Sequence, residues 1–237
     1  MPLAYRSLMF VPADDAQRLR AAFASGADAV VADLEDAVAG DRKEGARRVL
    51  AETLPGATGA ARLVRVNAAD SREFAADLAT VSALSLAALV LPKATPAAVE
   101  RLGETGLPVV AVIETAAGLH EAYEVASAPH VEALALGAND LALELRLEPR
   151  PDALELLYAR SKLVADSAAA GIRAPFDRVY PRFDDPEGLE VDAAFARSLG
   201  FGGKSCTHPN QPRVVNAVFG LGAAHDAVAA KAAVYGR

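Results

Sequence analysis

Short apolar runs alternate with longer amphipathic stretches along the chain, with no linker-like break between them. Apolar runs bounded by turn-forming residues predict strands, and they occur at 7–12, 29–34, 63–67, 88–92, 109–114, 133–137, 174–179 and 203–207. Between them, helical spacing of apolar positions predicts helices at 14–25, 41–54, 71–83, 96–103, 116–126, 152–170, 186–199 and 210–219. Gly26, Gly103, Gly171 and Gly200 stand where helices would end, in the role of left-handed terminators. Eight strands alternating with helices predict an α/β fold, a (β/α)8 TIM barrel forming a single domain over 1–237. The competing open, doubly wound sheet requires a glycine-rich first turn, whereas Val11-Pro12-Ala13-Asp14 follows the first strand.

A closed barrel carries its active site at the carboxyl ends of its strands, so polar residues that terminate apolar runs are the first candidates for chemistry. They recur here as Asp33-Leu34-Glu35-Asp36, Arg65-Val66-Asn67, Pro92-Lys93, Glu114-Thr115, Asn139-Asp140 and His208. Singly, each has a structural explanation as a helix cap or a solvated side chain. Jointly, barrel closure makes them converge on one pocket.

Arg65 and Asn67 are two apart on a strand and share a face. The Arg65 fork suits a substrate carboxylate, and an internal salt bridge to Asp33, Glu35 or Asp36 is the alternative. Glu114 and Asp140 end neighbouring runs, so their like charges would meet. Mg2+ relieves such repulsion with only one or two protein carboxylates; the alternative is that each acid caps the following helix. Lys93 and Lys204 raise a Schiff-base mechanism, which a desolvated lysine at a barrel mouth would support. Cys206 and His208 do not make a zinc site by themselves, and a core thiol and a hydrogen-bonded imidazole are expected instead.

Composition narrows the function classes. Of the 237 residues 52% are hydrophobic, yet no stretch approaches the ~18 uncharged apolar residues of a membrane span. Met1-Pro2-Leu3-Ala4-Tyr5-Arg6 lacks the features of an export signal, so a cytoplasmic location is expected. Cys206 is the single cysteine, which excludes an intrachain disulfide. A net charge of -7 disfavours general nucleic-acid binding, while a local cluster of cations still allows a small anionic substrate.

Several motifs resemble the citrate lyase beta-subunit branch of the HpcH/HpaI aldolase family. They are Arg6-Ser7-Leu8-Met9-Phe10-Val11-Pro12, Asp33-Leu34-Glu35-Asp36-Ala37-Val38, Val64-Arg65-Val66-Asn67, Leu91-Pro92-Lys93, Ile113-Glu114-Thr115, Gly137-Ala138-Asn139-Asp140-Leu141, Val179-Tyr180-Pro181 and Gly203-Lys204 followed by His208-Pro209. They stand in family order from Arg6 to about Phe219. The resemblance implies an Mg2+-dependent carbon–carbon lyase acting on a short β-hydroxyacyl-CoA or related hydroxy acid, with a keto-acid fragment chelated to the metal. By the same resemblance Glu114 and Asp140 are the metal ligands, Glu114 also meets the substrate, and Arg65 binds the carboxylate. Glu35 and Asp36 lie beside them as catalytic candidates, organising metal-bound water or Arg65.

Coenzyme A as part of the substrate and a homo-oligomer, a trimer, are implied as well. The pattern departs from the family at 220–237, a short tail in which Asp226 is the sole acid and the usual covering segment is not recognised. Two other readings stay open: a Schiff-base aldolase using Lys93, and a non-catalytic subunit that binds keto acids or acyl thioesters.

Overall fold

In the computed structural model, which describes residues 5–103 and 105–220, eight parallel strands close on themselves in chain order. They are β1 (Ser7–Pro12), β2 (Ala29–Asp33), β3 (Ala61–Arg65), β4 (Ala88–Leu91), β5 (Val109–Ile113), β6 (Val131–Leu136), β7 (Phe176–Asp177) and β8 (Gly203–Cys206). β1 pairs with β2 on one side and with β8 on the other, which seals the ladder without an exposed edge. Residues 1–4 and the 221–237 stretch with Asp226 lie outside the described residues, so the expectations for the export signal and for most of the tail fall there.

The connections are α1 (Ala16–Phe23), α2 (Lys43–Thr53), α3 (Phe74–Val81), α4 (Pro96–Gly103), α5 (Ala116–His120), α6 (Ala122–Ala126), α7 (Ala138–Leu145), α8 (Leu157–Ala169), α9 (Pro186–Leu199) and α10 (Gln211–Gly220). Among the described residues, no helix is long and apolar enough to cross a membrane.

Side-chain alternation along the strands builds two cores. Leu8, Val31, Leu63, Val90, Val110 and Phe176 fill the barrel interior. Val30, Val64, Leu89, Ala111 and Leu134 face outward, where Leu19, Leu50 and Leu163 of the helices pack on them. Strands buried on both faces read as continuous apolar runs, which is why period alone located them.

Several elements differ from the prediction, β3 among them, which runs over Ala61–Arg65 and not 63–67. β7 is two residues long instead of six, because Pro175 has no N–H for the ladder and Arg178 turns to pair with Asp192. The helix expected at 116–126 breaks at Glu121 into α5 and α6. α7 begins before Asp140, which the capping alternative put at the start of a helix: the chain enters it directly after β6, so Asn139 and Asp140 lie in a helical turn, not in a strand or loop. Gly103 ends α4 without a positive φ, which Gly106 adopts three residues later, whereas Gly200 caps α9 at φ +107 as expected.

Lys204 also corrects the sequence reading. Its side chain is fully buried toward the helices, not at the mouth, and its ammonium lies 2.6 Å from both Asp177 and Asp192. Arg160, equally buried, donates to Asp177 through Nε and Nη2, each at 3.0 Å. Burial works to raise the Asp177 carboxyl, but Lys204 and Arg160 outweigh it and hold that pKa below the usual range. A lysine so enclosed and doubly paired is no Schiff-base nucleophile. Cys206 is the expected core thiol, its pKa pushed up to about 12 by burial. The His208 ring stacks on Phe183 at 5.1 Å, and its Nδ1 accepts from the Asn210 amide at 3.3 Å.

Removing one member of such a buried network leaves its partners charged and unpaired, at a cost of roughly 3–5 kcal/mol. Asp177→Asn is therefore expected to destabilise the fold by about that amount in urea unfolding at neutral pH. A loss under about 1 kcal/mol would show that these cations do not depend on Asp177.

Candidate active site

Asp33, the last residue of β2, continues the inward-facing set of Ala29 and Val31 and so points into the barrel mouth. Its Oδ1 accepts from the Glu35 amide at 2.8 Å and its Oδ2 from the Ala37 amide at 3.2 Å, which fixes the turn carrying Glu35 and Asp36. From the first turn of α2, the Lys43 ammonium reaches back to the carbonyls of Leu34 and Glu35, each at 2.7 Å, and to Asn67 Oδ1 at 2.6 Å. Asn67 in turn donates through Nδ2 to Leu34 O and Asp77 Oδ2. Asn67 thus belongs to the scaffold under the turn, and the expected shared face with Arg65 is not realised, because β3 ends at Arg65 and strand alternation ends with it.

Arg65 does face the mouth. Its guanidinium donates through Nε and Nη2 to both Asp33 oxygens, at 2.8 and 2.5 Å, while Nη1 lies 3.0 Å from Glu35 Oε2 and 3.9 Å from Asp36 Oδ2. It also lies over the Phe10 ring at 5.4 Å. The internal salt bridge and the cavity-facing arginine are therefore one arrangement: Asp33 holds the fork and Nη1 is the edge turned toward the acids. Burial opposes the guanidinium charge, but Asp33 and then Glu35 and Glu114 more than offset it, so Arg65 stays protonated with a raised pKa.

Across the mouth, Glu114 extends the inward set of Val110 and Val112 on β5 and is almost wholly buried. Its Oε1 accepts from the Lys93 amide at 2.8 Å. Lys93 adopts a left-handed backbone, φ +49, which costs a non-glycine residue of order 1 kcal/mol and persists where surrounding contacts fix it. From there its ammonium makes a close ion pair with Glu35 and lies 3.9 Å from Glu114 Oε1 and 3.6 Å from Asp140 Oδ2. Gly137 completes this wall, since a Cβ there would collide with the Glu114 side chain.

The capping alternatives do not hold for either acid. Thr115 caps α5 by accepting from the Gly118 amide at 3.0 Å. α7 starts at Gly137 without a side-chain cap, and Asp140 sits within its first turn with its carboxylate partly exposed. Glu114, Asp140, Arg65 and Asp36 all line one cavity of about 500 Å³, with Phe10 and Val112 among its apolar walls.

The electrostatics reflect crowded acids. Burial pushes the Glu114 carboxyl up to about 7, with Glu35 adding to the effect against the pull of the Lys93 amide and Arg65. Burial likewise raises Glu35 above the usual carboxylate range, although Arg65 and Lys93 pull the other way. Glu35 Oε2 is buried without a hydrogen bond, its contact with Arg65 being ionic but misaligned. Among the described residues no three His, Cys, Asp or Glu side chains converge as metal ligands. Two hard carboxylates on a cavity, one with unrelieved like charge, fit a cation that takes few protein ligands and completes its shell with water or ligand oxygens.

The structure thus brings Arg65, Glu35, Asp36, Glu114 and Asp140 to one mouth. Asp33 is among the polar strand ends, and it takes the role of salt-bridge partner to Arg65 that stood as the alternative. Gly137 stands only within a resemblance motif with no role given, and Lys43 is not a sequence candidate, because one acts by what it lacks and the other by reaching back over the turn.

The chain is 38% identical over 220 residues to (3S)-malyl-CoA thioesterase of Cereibacter sphaeroides, covering 91% of this chain and 77% of that one. It is 34% identical over 231 residues to citrate lyase subunit beta of Leuconostoc mesenteroides subsp. cremoris, covering 90% and 76%. The crystal structure of protein CitE from Mycobacterium tuberculosis in complex with magnesium, acetoacetate and coenzyme A superimposes with a TM-score of 0.83 at 31% identity, covering 98% of this chain and 86% of that one. The family model described as HpcH/HpaI aldolase/citrate lyase matches residues 6–209, and on that match the chain belongs to the HpcH/HpaI aldolase/citrate lyase family.

Proposed function

We propose that this protein is an Mg2+-dependent carbon–carbon lyase for a short β-hydroxyacyl-CoA or a related hydroxy acid. The observation that carries the reading is the pair Glu114 and Asp140, facing one cavity around a single ammonium, with Arg65 on the same wall. The relatives named above act on acyl-CoA or citrate by name, and CitE holds magnesium, a keto acid and coenzyme A together.

Glu114 and Asp140 would hold the cation. When bound there, Mg2+ supplies Lewis acidity toward the carboxylate and neighbouring oxygen of the ligand. The remaining work falls to side chains. Arg65, fixed by Asp33, presents Nη1 to the substrate carboxylate. Asp36 lines the cavity and is more than half exposed, so it is free to take the hydroxyl proton of the substrate. The O–H electron pair then forms the new carbonyl, the carbon–carbon bond breaks, and its pair leaves on the thioester fragment as an enolate that solvent protonates at the open mouth. Glu35 is enclosed between Arg65 and Lys93 and positions both.

The Schiff-base reading requires a neutral amine. Burial disfavours charge on Lys93, yet Glu35, Glu114 and Asp36 more than compensate and keep its pKa above the ordinary lysine value. A second reading, thioester hydrolysis, is favoured by the malyl-CoA thioesterase relative. The two chemistries separate by product. With (3S)-malyl-CoA and Mg2+, carbon–carbon cleavage releases a 2-oxo acid trapped as its hydrazone, whereas hydrolysis releases a free thiol. Oxo acid formation without stoichiometric thiol, abolished by EDTA, is the expected outcome; thiol alone would sink the lyase assignment.

Glu114→Gln is expected to weaken Mg2+ binding by at least about 100-fold in titration calorimetry. Its melting temperature should not fall, because the neutral isostere removes a buried like charge. A variant that still binds Mg2+ normally would displace Glu114 from the metal site. A pH effect follows from the Glu114 carboxyl, pushed up to about 7. The cation needs the ionised form, so Mg2+ affinity should fall up to about tenfold per pH unit below about 7 and flatten above it. A Kd independent of pH between 5.5 and 7 would contradict this.

A further inference from the structure

The charges at the mouth do not neutralise one another evenly. Arg65 is held by Asp33 through two of its nitrogens, and its third, on the cavity edge, lies against Glu35. Arg65 acts on Glu114 from farther away, and among the described residues the cation within 4 Å of both Glu114 and Asp140 is the Lys93 ammonium, which also makes the close ion pair with Glu35. Asp36 is the remaining acid that acts on it. Lys93 is held at this point by its backbone as well as its head group, through the left-handed φ and the hydrogen bond that its backbone N–H donates to the Glu114 carboxylate. A lysine there by default would have neither constraint.

We propose that Lys93 is the resident counter-ion of this acid cluster, supplying between Glu35, Glu114 and Asp140 the positive charge that an incoming divalent cation replaces. The inference rests on the metal reading of Glu114 and Asp140. An ammonium within 4 Å of both ligand carboxylates repels a dication placed between them. Its flexible four-carbon stem lets it withdraw entirely to Glu35, already its nearest partner, so Glu35 is the position to which the displaced charge retreats. Lys93 thereby makes the metal-free protein stable and the metal exchangeable. Without it, Glu35 would keep only Arg65, Glu114 and Asp140 would lose the cation within 4 Å of both, and a divalent cation would bind more tightly.

The test compares wild-type protein with Lys93→Met, Lys93→Gln and Lys93→Arg at pH 8.5, using Mg2+ titration calorimetry and thermal melting in EDTA and in saturating Mg2+. Loss of the charge is expected to tighten Mg2+ binding about tenfold in the methionine and glutamine variants. Their melting temperature should drop in EDTA and recover in Mg2+, while Lys93→Arg stays within about threefold of wild type. A lysine that merely supported the fold would give the opposite sign, weaker binding on removal.

Wild type that binds Mg2+ together with uncharged variants that bind it no more tightly overturns the proposal alone. Wild type that binds no Mg2+ overturns the metal reading and the proposal with it. A variant that folds only with Mg2+ present is the extreme of the expected result, and failure of both uncharged variants to fold even with Mg2+ counts against the proposal.

Discussion

Carboxylates brought together by barrel closure have to be neutralised, and the mouth of this protein is organised around that requirement. Asp33, Glu35, Glu114 and Asp140 arrive from three strand ends, those of β2, β5 and β6, and Arg65 and Lys93 are placed among them. Each cation takes a distinct share. Arg65 is locked in a bidentate grip by Asp33, which fixes its orientation but leaves one edge facing the cavity. Lys93 bridges the remaining acids loosely, at distances an incoming ion can disrupt. Burial first raises the Glu114 carboxyl, and the Glu35 charge that this arrangement leaves unbalanced adds to it.

The supporting layer works by hydrogen bonds instead of charge. The β2–α2 turn carries two candidate catalytic acids and would be mobile if its carbonyls were unsatisfied. Lys43 and Asn67 occupy those carbonyls, and Asp33 takes the amides. Asp33 therefore serves the turn and Arg65 at once. The same economy holds at Lys93, whose amide and ammonium contact acids from two strands.

On the opposite side of the sheet, the Asp177–Lys204–Arg160 cluster obeys the same rule in a drier setting. There the charges are fully enclosed, fixed and structural, with no cavity to exchange an ion. The contrast explains why two lysines on opposite sides of the barrel, Lys93 after β4 and Lys204 within β8, have different roles: β4 delivers one to the mouth, and β8 turns the other toward the helices.

The apolar period of the chain was enough to place all eight strands, most helices and the barrel itself, because residues buried on both faces of a parallel strand leave a local mark. The polar residues at the ends of those runs also identified Arg65, Glu35, Asp36, Glu114 and Asp140, since closure makes strand ends neighbours whatever their separation in sequence. Which partner each residue takes is not local. Strand alternation stops where the strand stops, so Asn67 turned into the scaffold although two-residue spacing matched it to Arg65. α7 started earlier than its composition suggested and placed Asp140 inside a helical turn. The contacts of Lys93, the reach of Lys43 and the space kept by Gly137 depend on chain segments 8 to 58 residues apart and were settled only when the barrel closed.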